Sequence, residues 1–285
     1  MADNKFFFEK VGGICYNALI SEVTSTPKPG LVDSANNGAH RDMDVNTFKK
    51  SALALRPYFV SFAEYGYDTR LEPISSVLPM GRKIGMEAEK AMLSATGGVN
   101  THKGIIFSAG LICMALGRLY GLGLGFGADG VCRFVADTVS GISSSDYSDR
   151  VLQSKQKLSN GEKIYKQYGL RGPRGEAESG FTSVRRYGLP FYKECKICGM
   201  DDNEAQVRTL LNLMSNIDDT NVINRGGMEA SVYVKSRATL IRDAAFDEIR
   251  LFDLDLIERN LSPGGCADLL AVTLILHDAE HLNET

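Results

Sequence analysis

From Gly104 to Leu119 the chain is apolar on nearly every side of the helix it would form, through Ile105, Ile106, Phe107, Leu111, Ile112, Met114 and Leu116. A helix that is apolar all round has no face to give to water, so it belongs at the centre of a large bundle. Around it, helical periodicity fits residues 4–23, 46–65, 72–95, 101–120, 127–140, 147–168, 201–217, 229–246, 247–260 and 265–282. Pro73 and Ser262-Pro263 supply helix-start signals. Alternating strands bounded by hairpin turns are missing, and so is any repeat at a solenoid period. The expected fold is all-α, a multi-helix globular bundle with residues 104–119 as its buried central helix. With 285 residues and no Ser/Gly/Pro linker or like-charge run, one domain over 1–285 is expected.

Charge and composition exclude some classes of function. A net charge of -3 and a pI near 5.9 argue against a general nucleic-acid binder, which carries a basic face. No stretch of about eighteen apolar residues free of charge occurs, so no membrane span is expected. At the start, Phe6-Phe7-Phe8 is cut off by Glu9 and Lys10, unlike a secretory leader. Six cysteines without such a leader read as reduced thiols in a cytoplasm. Cys195 and Cys198 form a lone C-x-x-C with no further ligands at zinc spacing, so they read as packing residues.

The best candidate for a site is a long loop, Pro27-Lys28-Pro29-Gly30-Leu31-Val32-Asp33, continuing to Gly38-Ala39-His40-Arg41-Asp42-Met43-Asp44. Loops of this length in compact domains tend to be functional or disordered, and apolar anchors such as Leu31, Val32 and Met43 disfavour disorder. Three glycine pairs, Gly97-Gly98, Gly226-Gly227 and Gly264-Gly265, are read as lying just ahead of helices, beside polar clusters. A helix start offers free N–H groups and a positive dipole end, and glycine lets an anion approach. Arg171-Gly172-Pro173-Arg174-Gly175-Glu176, leading to Arg185-Arg186, reads as an open loop whose guanidinium forks suit phosphate oxygens. Ordinary turns, caps and solvated loops account for any one of these features; together they point to a ligand with several phosphates. His102, at the head of the central helix, could touch phosphate or satisfy a neighbouring carbonyl.

These blocks resemble the triphosphoribosyl-dephospho-coenzyme A synthases. The matching stretches are P-K-P-G-L-V-D with G-A-H-x-D-M-D (27–44), G-V-N-T-H-K-G (98–104), R-G-E-A-E-S-G-F (174–181), D-T-N-V-I-N-R-G-G (219–227) and S-P-G-G-C-A-D-L-L-A (262–271). Two positions depart from the family pattern: Asn224, where histidine is expected, and Cys266, where a small polar residue is common. The resemblance implies transfer of the triphosphoribosyl group of ATP to the ribose 2'-hydroxyl of 3'-dephospho-coenzyme A, with release of adenine. The product would be the prosthetic-group precursor of the citrate lyase acyl carrier subunit, or of malonate decarboxylase, passed to its acyl carrier protein by a separate transferase. For that chemistry Asp33, His40 and Asp42 are the candidate catalytic groups, stabilising a ribosyl cation and moving protons. Lys28, Gly98, Asn100, Thr101, His102, Lys103, Arg174, Asn221, Arg225, Gly226, Gly264 and Gly265 are the candidates for substrate and phosphate binding. Asp219 and Glu176 are the candidates for Mg2+, which on a triphosphate needs only one or two protein carboxylates.

The same carboxylates and loops would also serve a magnesium-dependent N-ribosyl hydrolase of a nucleotide, or a nucleotide sensor without chemistry. A competing reading of Asp33 and Asp42 is that they are turn or cap residues. Gly125-Phe126-Gly127-Ala128-Asp129-Gly130 matches G-x-G-x-x-G, but no strand precedes it, and it reads as a connection between helices. His277 and His281 read as surface residues, and homo-oligomer assembly is left open.

Overall fold

The computed structural model describes residues 2–148 and 158–284, and those residues are helical with no strand. The principal helices are α1 (Ala2–Thr24), α2 (Val45–Asp68), α3 (Val77–Ala95), α4 (Lys103–Gly121), α5 (Ala128–Thr138), α6 (Ile142–Asp146) and α7 (Asn160–Tyr168). They continue with α8 (Gly172–Glu178), α9 (Leu189–Ile197), α10 (Asp202–Asn216), α11 (Thr220–Ile241), α12 (Phe246–Glu258) and α13 (Gly264–Glu280). As its composition requires, α4 is the core helix, with Ile105, Ile112, Cys113, Ala115 and Leu116 sealed from solvent. It is wrapped by α2, α3, α5 and α13. By length and apolar character alone α4 could cross a membrane, yet here most of it is buried inside the protein.

Glycines set the tightest crossing. A Cβ on Gly117 would lie 1.9 Å from the Ala63 carbonyl oxygen, and one on Gly66 would lie 2.0 Å from that of Met114. The backbones of α2 and α4 therefore touch, which no larger residue permits.

Most elements fall where their periodicity places them, with three differences. Residues 171–188, read as an open loop, fold instead as α8, a π-helical turn at Val184–Gly188 and the approach to α9. Pro173 and Pro190 sit in first turns, where a missing N–H costs nothing, and Ala177, Phe181 and Val184 are buried. The helix expected from residue 229 starts earlier, at Thr220, and is interrupted at Gly227 (φ 74°, ψ -172°). Of the helix expected over 147–168, the segment 149–157 lies outside the described residues, and α7 begins afresh at a Ser159–Glu162 capping box.

Cys195 is buried, Cys198 is exposed, and all six cysteines are free thiols. Burial pushes the Cys195 thiol up to about 11, which suits packing rather than reactivity. Of the stretch 125–130, Gly125–Gly127 belongs to the connection between α4 and α5, as expected, and Ala128–Gly130 is the first turn of α5.

Candidate active site

The loop between α1 and α2 is unusual because its first half is buried, from Pro27 through Asp33. A buried loop must satisfy its own polar backbone. Asp33 does this: Oδ2 accepts from Thr26 Oγ1 (2.8 Å) and Lys28 N (3.0 Å), and Oδ1 from Ala35 N (2.7 Å) and Asn36 N (2.9 Å). Asp253 on α12 accepts from Gly30 N (2.8 Å) and Asn36 Nδ2 (2.7 Å). Gly30 has φ 71°, and a Cβ there would lie 2.3 Å from the Leu261 carbonyl oxygen.

Held this way, the loop forms one wall of a cavity of about 570 Å³. Four longer helices present their starts to it: α4 through Thr101–Gly104, α7 through Ser159–Gly161, α11 through Thr220 and Asn221, and α13 through Ser262–Gly265. Converging N-termini give a strongly anion-attracting site. Lys103, Arg174 and Arg225 also line it. Lys103 Nζ pairs with Glu89 Oε1 (2.5 Å), and Arg174 Nε with Asp146 Oδ2 (2.8 Å). Arg225 Nη1 donates to the Ala39 carbonyl (3.1 Å) and to Asn260.

Lys28 reaches the cavity too, but is buried in an ion pair with Glu22. Burial raises the Glu22 carboxyl above its ordinary value, and Lys28 opposes that rise. His40 Nε2 meets Ser262 Oγ at 2.9 Å, and its Nδ1 stands 3.9 Å from Asp42 Oδ1. Burial and then Arg225 lower the His40 imidazole below its usual value, with Asp42 opposing, so it is neutral near pH 7. His102 Nδ1 meets Ser51 Oγ at 2.6 Å, and Thr101 Oγ1 donates to the same Ser51 Oγ at 2.7 Å. Burial, with Lys28, pushes His102 down to about 3.

With this geometry in view, comparison with known proteins is decisive. The family model described as ATP:dephospho-CoA triphosphoribosyl transferase matches residues 8–285. The chain belongs to this family. It is 43% identical over 281 residues to a probable 2-(5''-triphosphoribosyl)-3'-dephosphocoenzyme-A synthase of Albidiferax ferrireducens, covering 96% of this chain and 92% of the relative. It is 44% identical to the 2-(5''-triphosphoribosyl)-3'-dephosphocoenzyme-A synthase of Pectobacterium atrosepticum, covering 92% and 86%. A crystal structure of a putative triphosphoribosyl-dephospho-coA synthase from Archaeoglobus fulgidus shares the fold. The TM-score is 0.52 at 19% identity, over 81% of this chain and 97% of that one.

For a member of this family, most residues singled out from sequence meet at one cavity: Lys28, His40, Asn100, Thr101, His102, Lys103, Arg174, Asn221, Arg225, Gly264 and Gly265 all line it. Four do not. Asp33 faces its own loop, as above. Asp42 is exposed and lies with His40 and Arg225 on an adjoining open cleft. Gly98 ends α3 instead of starting α4: Gly97 and Gly98 both have positive φ, and Gly98 N donates to the Leu93 carbonyl (2.7 Å), a Schellman closure. Gly226 is a packing glycine, since a Cβ there would lie 2.6 Å from Ala230 Cβ.

Asp219 and Glu176 come together in a neighbouring cavity of about 360 Å³ that shares Pro173, Thr220, Gly265 and Asp268 with the main one. Asp219 also caps two helix starts, accepting from Asn221 N (2.7 Å) and Val222 N (3.3 Å) with Oδ1 and from Cys266 N (2.8 Å) with Oδ2. Glu176 accepts from Ser183 Oγ (2.6 Å).

Sequence reading missed two carboxylates. Glu22 closes α1, with no motif around it. Asp268 stands in the S-P-G-G-C-A-D block, where nothing in the sequence alone marks it out. It lines both cavities, and a Cβ on Gly104 would lie 2.1 Å from its Oδ2, so only glycine admits it there. Burial, Glu22 and Asp219 push Asp268 well above the ordinary carboxylate range. The α7 start was also missed, although its Ser-x-x-Glu capping box was readable.

Proposed function

We propose that this transferase moves the 5-triphosphoribosyl group of ATP onto the ribose 2'-hydroxyl of 3'-dephospho-coenzyme A, releasing adenine. The observation that carries the reading is the convergence of four helix starts and three exposed or half-exposed cations on a cavity that also holds partly buried titratable groups. Polyphosphates need the first; cleavage of an N-glycosidic bond needs the second. In the proposed reaction the acceptor 2'-oxygen bonds to C1' of the ATP ribose as the C1'–N9 bond breaks. Neutral His40 takes the hydroxyl proton, and protonated Asp268 gives its proton to a ring nitrogen of the leaving adenine. The Glu22 carboxylate favours the positive charge that builds on the ribose. Asp33 contributes by holding the loop that carries His40.

A groove of about 350 Å³ opens beside the main cavity and shares Lys103, Gly104, Pro173 and Arg174 with it. Its walls are apolar, from Phe62, Leu78, Phe107, Leu111 and Met114. The uncharged pantetheine arm of the acceptor fits such a groove, with its diphosphate at Lys103 and Arg174. Mg2+ fits the oxygen-only pair of Glu176 and Asp219, with triphosphate oxygens completing its shell. Among the described residues no cluster of three or more His, Cys, Asp or Glu forms a cage of its own. When bound, the ion would neutralise triphosphate charge. The product would serve as the prosthetic-group precursor for an acyl carrier subunit.

Adenine release from ATP and magnesium, followed with and without 3'-dephospho-coenzyme A, tests the reading. Release that depends on the acceptor is expected. Release without it would identify a hydrolase, and ATP binding without release a sensor.

A further inference from the structure

The lining of the main cavity divides by burial. At one end stand Leu19, Val32, Ala271 and the Glu22–Lys28 pair, all shut away from solvent. At the other stand Asn160, Gly161, Asn221, Lys103, Arg174 and Arg225, which meet water. His102 belongs to the buried end, and its Nε2 is a buried polar atom with no hydrogen-bond partner. The half-buried Phe48 meets the imidazole edge-on, with ring centroids 5.0 Å apart at 87°. The ring's tautomer is set by its neighbours. Thr101 donates to Ser51 Oγ, and among the described residues the only other hydrogen bond of that buried hydroxyl is with His102 Nδ1, so the Ser51 proton is satisfied there. Nδ1 therefore accepts, and the proton of the neutral ring sits on Nε2. The result is a fixed N–H donor, buried and without a protein partner, on a residue that lines the cavity.

We infer that the buried end is the base pocket of the donor nucleotide, and that His102 donates from Nε2–H to a purine ring nitrogen. The assignment rests on the transferase reading above. A phosphate is the poorer occupant here, because the nearest cation, Lys28, is already paired with Glu22, whose carboxylate repels anions. A purine offers what the site lacks: an in-plane lone pair for Nε2–H, apolar faces for Leu19 and Val32, and, in adenine, an amino group that a carboxylate can accept from. With the base inside, the triphosphate extends toward the helix starts and arginines. His102 transfers no proton in this role; its hydrogen bond strengthens as electron density moves onto the departing base.

Binding without acceptor tests this apart from turnover. By calorimetry the wild type should bind either 3-deaza-ATP or 7-deaza-ATP roughly 2- to 10-fold more weakly than ATP, the worth of one neutral hydrogen bond. His102→Leu should bind ATP and both analogues alike. In ¹⁵N NMR of the wild type, His102 should carry its proton on Nε2, and that resonance should move with ATP but not with inorganic triphosphate. Equal discrimination in His102→Leu, or a response to triphosphate alone, would overturn the base contact while leaving the transferase reading intact. A wild type that binds no ATP would overturn both.

Discussion

Burying a neutral histidine ties stability to pH, and His102 gives that link a magnitude. Its imidazole is pushed down to about 3 by burial and then by Lys28, against about 6.5 in the unfolded chain. Because the folded value is the lower one, the unfolded state binds the proton first. Stability from this site is complete above pH 6.5 and falls away between there and about pH 3. At pH 5 the loss is about 1.5 units of 1.36 kcal/mol, or roughly 2 kcal/mol relative to pH 7. Other carboxyls titrate over the same range, so the comparison must be between proteins. Urea unfolding of the wild type and of His102→Gln at pH 7 and pH 5 isolates the site. The wild type should lose about 2 kcal/mol more than the variant over this interval. Equal losses would show that His102 is protonated in the fold, and would remove the neutral donor from the cavity.

Asp268→Asn should lower kcat by about 10²–10⁴, the usual worth of a positioned acid, while calorimetric ATP affinity stays within a fewfold. Gly104→Ala should reproduce that loss by displacing Asp268, since its Cβ would lie 2.1 Å from Oδ2. Gly117→Ala should cost about 1–3 kcal/mol in denaturant unfolding through the 1.9 Å approach to Ala63, whereas Gly125→Ala, which meets nothing within 4 Å, should change stability by less than about 0.5 kcal/mol. The rising acid limb of the kcat/KM profile should have its midpoint below pH 6.5, as the lowered His40 value requires, and should vanish in His40→Gln.

The central helix was legible because an all-round apolar run of sixteen residues has one place to go in this bundle. The meeting of the five sequence blocks at one cavity was legible through family resemblance; periodicity says nothing of where two loops meet. Asp33 was misread for a physical reason. An aspartate between proline and glycine carries the same signature whether it faces a ligand or its own backbone, and here four local donors claim it. Gly98 and Gly226 failed likewise, since closing a helix, packing against one and opening a phosphate site all favour glycine. Asp268 lay hidden in a helix most of whose residues are core, where its importance comes from the Gly104 notch opposite, 164 positions away in sequence. The helices of 171–197 were obscured by Gly172 and Pro173, which mark turns as readily as helix starts.

The central claim is that this cavity joins a triphosphoribosyl group to the acceptor's 2'-hydroxyl. Mass spectrometry of the acceptor after incubation with ATP, magnesium and wild-type protein tests it most directly, run beside the 2'-deoxy acceptor. Addition of one triphosphoribosyl unit to 3'-dephospho-coenzyme A, and none to its 2'-deoxy analogue, is the predicted result. An unchanged acceptor, or equal addition to both, would contradict the account.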